Sequence, residues 1–129
     1  MWLNTDMDTE VADNDEPMQM VLGSEPQRVP YAAIAKVKHM QADGVYIKCT
    51  LLPKNVKFWT KRTGDDHIAI LAAGEAVIED GDTRTKLVAP ASTVIPGDHR
   101  IRAYTLTDCV FYCVHATAET DLTVLDKIY

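Results

Sequence analysis

From residue 44 onward, apolar and polar residues alternate in short segments with the two-residue period that is typical of β-strands. The first segment follows the turn pair Asp43-Gly44 and has apolar residues at every second position: Val45, Ile47, Cys49 and Leu51. HIAILAAG (67–74) is an apolar strand that ends at a glycine, and strict alternation returns in DCVFYCVHA (108–116). Strands that recur about every 8 to 12 residues, with turn residues between them, predict an antiparallel β-sandwich or barrel.

The segments between and beyond these strands complete the expected fold. EAVIEDGDTRTKLVA (75–89) is typical of a hairpin that turns at Asp80-Gly81-Asp82, and STVIPGDHRIRAYTL (92–106) predicts two strands joined by a Pro-Gly turn. YAAIAKVKHM (31–40) predicts either a short helix or a first strand. ETDLTVLDKIY (119–129) predicts a short C-terminal helix with Thr120 or Asp121 near its N-cap. The predicted fold class is all-β.

The N-terminal segment has a different composition, and we expect an extended acidic arm over residues 1–29 and the barrel domain over 30–129. Of the 19 acidic residues, seven lie within 1–27, which contains no Lys or Arg; the rest has 12 acidic and 13 basic residues. Nucleic acid is therefore not an expected partner. The arm is also apolar enough to lie against its own barrel, a sister subunit or a partner; its apolar residues include Trp2, Leu3, Met7, Met18, Met20, Val21 and Leu22.

Length, hydropathy and cysteine content indicate what kind of protein this is. The chain has 129 residues, which suits one domain with a single core. It has no apolar run that could cross a membrane, and MWLNTDMDTE lacks the basic and apolar regions of a secretory signal, so no membrane partner is expected. The three cysteines cannot all pair with one another and are expected to be reduced thiols: Cys49, Cys109 and Cys113.

Two motifs resemble those of the cupin superfamily, which are small antiparallel jelly-roll barrels. HIAILAAGEAVIEDGD (67–82) is similar to the first cupin motif, and APASTVIPGDHR (89–100) is similar to the second. The resemblance covers roughly residues 44–117 and implies a jelly-roll barrel. More narrowly, DHIAILAAG together with CVFYCVHATAETD resembles small cupin-like proteins encoded by tailed phages.

The resemblance also implies ligand positions for a divalent metal: two histidines and a glutamate in the first motif, and one histidine in the second. When the first motif is aligned on Gly74, these positions hold Thr60, Arg62 and His67, so that His67 stands in place of the glutamate. Neutral imidazole and carboxylate groups bind divalent metals, whereas an arginine beside the ion would be repelled. The first motif therefore keeps one plausible donor.

The second motif has lost its ligand as well. When it is aligned on Gly97, the ligand position holds Arg100, and His99 lies one residue earlier. On a strand, a shift of one residue sends a side chain to the opposite face. We therefore expect no intact metal site, no catalytic residue and no cofactor.

Three histidines remain as candidate ligands for a divergent metal site: His67, His99 and His115. A buried, hydrogen-bonded role is favoured for His67, and an exposed turn position for His99. His115 shares a strand face with Cys113, which suggests a metal or nucleophilic pair. Against this, cysteine also serves as a small apolar core residue.

Arg62 and Arg100 are the candidate ligand-binding residues. If both face one cavity, their guanidinium groups could bind a carboxylate or a phosphate. Ion pairs with acidic neighbours at the barrel mouth are the favoured alternative, the neighbours being Asp65, Asp66 and Asp98.

Three functions fit the sequence, and the first is preferred. It is a non-enzymatic structural or interaction protein; the phage resemblance implies a virion component (a head decoration or a tail- or fibre-attachment protein) assembled in the host cytoplasm. Its expected partners are copies of itself and other virion proteins, bound through the N-terminal arm and the sheet edges. The second is a divergent metal-dependent dioxygenase, isomerase or lyase. The third is a non-catalytic binder of a small ligand or carbohydrate that uses Arg62, Arg100 and aromatic residues such as Tyr104 or Tyr112.

Overall fold

The computed structural model describes residues 18–22, 25–60 and 62–129, which form two short helices and eleven strands. In chain order these elements are β1 (Met18–Leu22), β2 (Glu25–Val29), α1 (Tyr31–Ile34), β3 (Lys36–Ala42), β4 (Val45–Leu52), β5 (Val56–Trp59), β6 (His67–Ala73), β7 (Glu75–Asp80), β8 (Thr83–Val88), β9 (Ala91–Ile95), β10 (Arg102–Thr105), β11 (Cys109–Ala116) and α2 (Leu122–Ile128).

The strands form two antiparallel sheets that pack face to face. One sheet has six strands in the order β2-β1-β5-β10-β7-β8, and the other has five in the order β3-β4-β11-β6-β9. Every pair of neighbours is antiparallel. The all-β prediction is therefore confirmed. The segment 31–40 contains both a short helix and a strand, where the sequence left the choice open.

The described part of the predicted arm belongs to the barrel. β1 and β2 pair with each other, and β1 pairs with β5, with Met18 opposite Phe58. These two strands extend the six-stranded sheet, so residues 18–22 and 25–29 lie against the chain's own barrel. Trp2, Leu3 and Met7 lie outside the described residues.

The period-two pattern buries one face of each sheet. On β6, His67, Ala69 and Leu71 point inward, and Ile68 points outward with 48% of its surface exposed. On β4, the alternating apolar residues Val45, Ile47 and Leu51 lie on the outer face. The main core fills one end of the space between the sheets, and its buried members are Leu52, Val56, Leu71, Ala76, Cys109 and Phe111. Burial of each large apolar side chain contributes about 1.5–3 kcal/mol.

The C-terminal helix α2 begins where the sequence predicts. Asp121 is its N-cap, and the side chain accepts a hydrogen bond from the backbone N–H of Thr123. Leu125 anchors the helix in the barrel and is fully buried. Neither described helix has the length and apolar character needed to cross a bilayer. Cys49, Cys109 and Cys113 are free thiols.

Candidate functional site

The end of the barrel opposite the main core is lined by polar and aromatic side chains. In the five-stranded sheet, Tyr46 on β4 lies directly opposite His115 on β11. On the other side of β11, Val114 is paired with Ile68, and the next position along this ladder brings His67 beside His115. Three adjacent strands therefore point Tyr46, His115 and His67 into the same end of the barrel.

These side chains form a stack that includes the residue after α2. The ring centroids of His67 and His115 are 4.3 Å apart, with 37° between the ring planes. The ring of Tyr129 also stacks on His115, with the two ring centroids 4.0 Å apart and 24° between the ring planes. Tyr46 lies 5.9 Å from His115 and 5.8 Å from Tyr129, measured between centroids. We call these four residues the His-Tyr cluster.

Burial keeps both histidines of this cluster uncharged at neutral pH. His115 is 4% exposed, and burial lowers its pKa to about 3, with further lowering by the nearby His67 and Lys48. Burial also lowers the pKa of His67, while the charge of Asp66 raises it by a smaller amount. Neutral imidazole is the form that stacks on aromatic rings without a desolvated charge, and it is also the form that binds metals.

The hydrogen bonding of His67 differs from the prediction. Its side chain is buried as expected, but its Nδ1 atom has no hydrogen-bond partner among the described residues. A buried polar atom without a partner costs about 1–3 kcal/mol. The expectation of a hydrogen-bonded His67 is therefore wrong at this atom, because the neighbour on this inner face is the ring of His115.

A small network of charged and polar groups closes this end of the barrel. The Lys48 ammonium lies 3.3 Å from Asp126 Oδ1 and donates a hydrogen bond to the main-chain oxygen of Tyr129, at 3.1 Å. His39 Nδ1 lies 2.6 Å from the Tyr46 hydroxyl, and His39 Nε2 lies 3.9 Å from Asp126 Oδ1. These contacts join α2 to strands β3 and β4.

Tyr46 is an uncharged member of this network. Burial, followed by the charge of Asp126 and by Cys113, raises the pKa of Tyr46 to about 12. The hydroxyl therefore keeps its proton at neutral pH and stays an uncharged hydrogen-bonding group beside His39 Nδ1.

The pairing of Cys113 with His115 does not give an activated nucleophile. Both residues lie on the inner face of β11, as the sequence predicts. Burial raises the pKa of Cys113 to about 11, although Lys48 opposes part of this increase. A thiol with this pKa is protonated at neutral pH, and neutral His115 supplies no positive charge to favour the thiolate. The core role of the cysteine fits these observations.

Two of the four residues at the cupin ligand positions, Thr60 and Arg100, bind each other. Arg100 is 9% exposed, its Nε donates to the main-chain oxygen of Thr60 at 2.8 Å, and its guanidinium lies 5.9 Å from the ring centre of Trp59. The Thr60 hydroxyl accepts a hydrogen bond from the backbone N–H of Ile101. Thr60 and Arg100 thus hold the start of β10 against the end of β5. Arg62 is exposed in the loop before β6.

The third histidine candidate takes part in a separate surface cluster. His99 lies in the loop between β9 and β10 with half of its side chain exposed; Nδ1 is 2.8 Å from Asp98 Oδ1, and Nε2 is 2.9 Å from Asp80 Oδ1. Hydrogen bonds to these two carboxylates raise the pKa of His99. Asp66, one of the predicted partners of the arginines, accepts a hydrogen bond from the backbone N–H of Gly97.

The side chains do not fit the resident divalent metal that the cupin resemblance implies. The structure brings His67 and His115 together, but a protein metal site normally needs three or more ligands. Within the described ranges 18–22, 25–60 and 62–129, no three His, Cys, Asp or Glu side chains are arranged to hold a metal ion. The space beside the two imidazoles is occupied by Tyr129 and Tyr46.

The sequence analysis missed five residues of this end of the barrel: His39, Tyr46, Lys48, Asp126 and Tyr129. Two of them could have been found from the period-two pattern of β4, because Tyr46 and Lys48 lie on the same face of this strand. The strand was predicted from the apolar residues that alternate with them, and these face outward. The position of Tyr129 depends on where α2 packs, which no local pattern in the sequence specifies.

Comparison with known proteins identifies the architecture. No protein-family model matches the sequence, and no curated protein matches it significantly. Among solved structures, the chain is similar to a cupin-2 domain containing protein from Shewanella frigidimarina, with a TM-score of 0.55, 17% identity, and coverage of 64% of this chain and 80% of that one.

Two further solved structures share the same architecture. KdgF from Halomonas sp. matches with a TM-score of 0.56 and 14% identity, covering 64% of this chain and 81% of its own. The EutQ protein of Clostridium difficile matches with a TM-score of 0.55 and 13% identity, covering 67% of this chain and 70% of its own. Identities this low show the fold alone. The chain has a cupin-like jelly-roll fold.

Proposed function

We propose that this chain is a non-enzymatic interaction protein, which acts through contacts with other protein subunits. The observation that carries this proposal is the His-Tyr cluster. Two neutral histidines at one end of the barrel are stacked on each other and on Tyr129, and the Lys48–Asp126 ion pair holds α2 over them. An end of the barrel that is filled by packed rings is suited to stability and to holding the C-terminal helix.

The chemistry at the cupin ligand positions supports the same conclusion. Thr60 and Arg100 hydrogen-bond to each other, and the Arg100 guanidinium lies over the ring of Trp59, so these two side chains have roles other than metal binding. Cys113 has a raised pKa and is therefore a poor nucleophile at neutral pH.

Within this class, we propose that the chain is a virion component of a tailed phage, as a head decoration or a tail- or fibre-attachment protein. The support is the resemblance of DHIAILAAG and CVFYCVHATAETD to cupin-like proteins of phages. Such a protein would assemble in the host cytoplasm and bind other virion proteins through its N-terminal segment and sheet edges. Neither nucleic acid nor a membrane is part of this proposal.

One observation favours a second candidate, the divergent metal-dependent enzyme. Two neutral imidazoles lie side by side, and Nδ1 of His67 has no hydrogen-bond partner among the described residues. A rearrangement of Tyr129 would be needed to admit further ligands, and a substrate would then bind at the metal.

Metal content distinguishes the two candidates. Protein purified without chelator is measured by elemental analysis, alongside His67→Ala and, as a matched control, His99→Ala at the exposed histidine. We expect a metal content far below one per chain in all three. Near-stoichiometric iron, manganese, nickel or zinc that is lost in His67→Ala and retained in His99→Ala would overturn the proposal in favour of the enzyme.

The virion role has its own test. Quantitative mass spectrometry is applied to gradient-purified particles of the phage whose genome encodes the chain. A constant number of copies per particle is expected, at a fixed ratio to the major capsid or tail protein. Complete recovery of the chain in the particle-free fraction would contradict a virion role.

A further inference from the structure

A row of apolar side chains crosses the whole outer face of the five-stranded sheet. Met40, Ile47, Val114, Ile68 and Val94 are consecutive partners in the strand ladders, one from each strand. Three of them are strongly exposed: Met40 at 48%, Ile68 at 48% and Val94 at 62%. A single exposed apolar residue is ordinary, but a continuous row of five across a sheet forms a patch.

The positions beside this row are also largely apolar. Along the five strands, the outer face includes Val45, Leu51, Ile70, Val110 and Tyr112, and Leu51 is 38% exposed. The charged residues on this face are Lys36 and Lys38, both on the edge strand β3. The centre of the face therefore carries no charge. Depletion of charge in the centre and the presence of a tyrosine are typical of the core of a protein interface.

The outer face of the other sheet has the opposite character. On β7, Glu75 and Glu79 point outward and form ion pairs with neighbouring strands: Lys86 with Glu75 at 3.1 Å, and Arg102 with Glu79 at 2.6 Å. This part of the face is therefore charged and paired, with Arg102 at 19% and Glu79 at 15% exposure, whereas the centre of the outer face of the five-stranded sheet carries no charge. The contrast between the two faces shows that the apolar face is a specific property of the five-stranded sheet.

We propose that the outer face of the five-stranded sheet is a self-association surface, on which a second copy of this chain docks face to face. Five strands about 4.8 Å apart and about seven residues long span roughly 24 Å by 23 Å, which is about 550 Å² on each copy. Two such faces bury about 1,100 Å² in total, which reaches the roughly 1,000 Å² that a specific interface needs. The two sheets would pack about 10 Å apart.

The charges on the face favour one arrangement of the two copies. A twofold axis along the central strand β11 would place strand β3 of each copy over strand β9 of the other. Lys36 and Lys38 would then lie over the edge that carries Val94 and Ser92, and no lysine would face a lysine. Rotation about an axis across the strands would instead place β3 over β3, where the like charges repel.

Self-association rests on the proposed function, because it names a second copy of the chain as one partner of the interaction protein. The oligomeric state is measured independently of metal content, so the dimer proposal and the non-enzymatic proposal can each fail without the other. The oligomeric state of the full chain is measured by analytical ultracentrifugation over a concentration series. We expect the wild type to be a dimer of 14.3 kDa subunits at micromolar concentration. We expect Val94→Lys to weaken dimerisation on the order of 100-fold, because the ammonium group would lose water at the interface.

Two further variants make the test specific. Val88→Lys is the matched control, since Val88 is an exposed valine on the outer face of the other sheet, at 57%; its dimer affinity should equal that of the wild type. Adding Met40→Glu to Val94→Lys should restore at least tenfold of the lost affinity. Met40 and Val94 lie in the same row across the sheet, so the twofold axis places Met40 of one copy over Val94 of the other, and the two new charges would face each other. Far-UV circular dichroism confirms that each variant is folded.

Three results would overturn the proposal. If the wild-type chain stays monomeric up to about 1 mM, a second copy does not bind this face. The face would then bind something else, such as the chain's own N-terminal segment or a different protein. Equal dimer affinity in Val94→Lys and the wild type would place the interface elsewhere. Equal loss in Val94→Lys and Val88→Lys would show a general charge effect.

Discussion

His115 stacks on His67 with the two ring centroids 4.3 Å apart, and both imidazoles are buried. Two protonated imidazoles could not share this position, because each would be desolvated and would repel the other. Burial also disfavours a single charge on either ring, and it lowers the pKa of both histidines. This one contact links the stability of the barrel to pH and explains why a pair of histidines can serve as core residues here.

The first prediction follows from the low pKa of His115. The folded pKa of about 3 lies below the usual unfolded value near 6.5, so the unfolded chain takes up a proton first as the pH falls. The contribution to stability is complete above about pH 6.5 and is lost as the pH falls toward 3. Between pH 7 and pH 5 the loss from this group is about 2 kcal/mol, measured by urea unfolding at each pH.

The variant His115→Phe isolates this effect, because phenylalanine keeps the stack and cannot titrate. We expect it to reduce the loss of stability between pH 7 and pH 5. His99→Gln is the control, since the pKa of His99 is shifted upward and its removal should not reduce the loss. Equal losses in His115→Phe and the wild type would show that His115 is protonated in the folded protein at pH 5.

A second prediction concerns His99 itself. Asp98 and Asp80 raise the pKa of His99 through hydrogen bonds to its two ring nitrogens. Its stabilising contribution is therefore fully present below the unfolded pKa and is lost as the pH rises through the higher folded pKa. Titration followed by NMR should give His99 a pKa above 6.5. Asp80→Asn and Asp98→Asn should each lower it, whereas Asp82→Asn in the exposed turn should leave it unchanged.

Much of the fold follows from local pattern in the sequence. The hairpin β7–β8, the strand β11 and the N-cap Asp121 are all where alternation and turn residues predict them. These features depend on neighbouring residues along the chain, so a short window of sequence contains the information. The same holds for the expectation that His115 shares a strand face with Cys113, which the structure shows to be the inner face.

The candidate site depends on contacts between distant segments, and the sequence reveals less of it. Alternation shows that His67 and His115 lie on apolar strands, but β6 and β11 become neighbours only through the sheet order. On β4, the alternating apolar residues that suggested a strand face outward. Tyr46 and Lys48 occupy the positions between them, and the sequence pattern did not identify these two residues as part of the site. The stacking of Tyr129 depends on the docking of α2, which is fixed by Leu125 and by Asp126 with Lys48.

A third prediction tests why glycine occupies the end of the first cupin-like motif. Gly74 has a φ of +93°, and a Cβ atom there would fall on the main-chain oxygen of Asp108 and against Thr107 and Cys109. We expect Gly74→Ala to destabilise the protein by at least about 3 kcal/mol, from backbone strain and overpacking together. Gly81→Ala is the control: its φ is +58° with open space around it, so the cost is about 1–2 kcal/mol. Equal costs, measured by urea unfolding, would show that the close approach to Asp108 relaxes easily.

The fourth prediction tests whether Tyr129 closes the barrel end. Its ring packs on His115 at a centroid distance of 4.0 Å, and Lys48 holds its main-chain oxygen, so Tyr129→Ala removes the cover of a buried imidazole. We expect a loss of about 1–3 kcal/mol in the free energy of unfolding. Because water then reaches His115, we also expect its pKa to rise from about 3 toward the usual value near 6.5, followed by NMR titration. Ile128→Ala, at a neighbouring residue that is 42% exposed, should change neither quantity much. A loss of stability without any rise in the pKa of His115 would mean that the strands themselves, and not the ring of Tyr129, exclude water from the histidine pair.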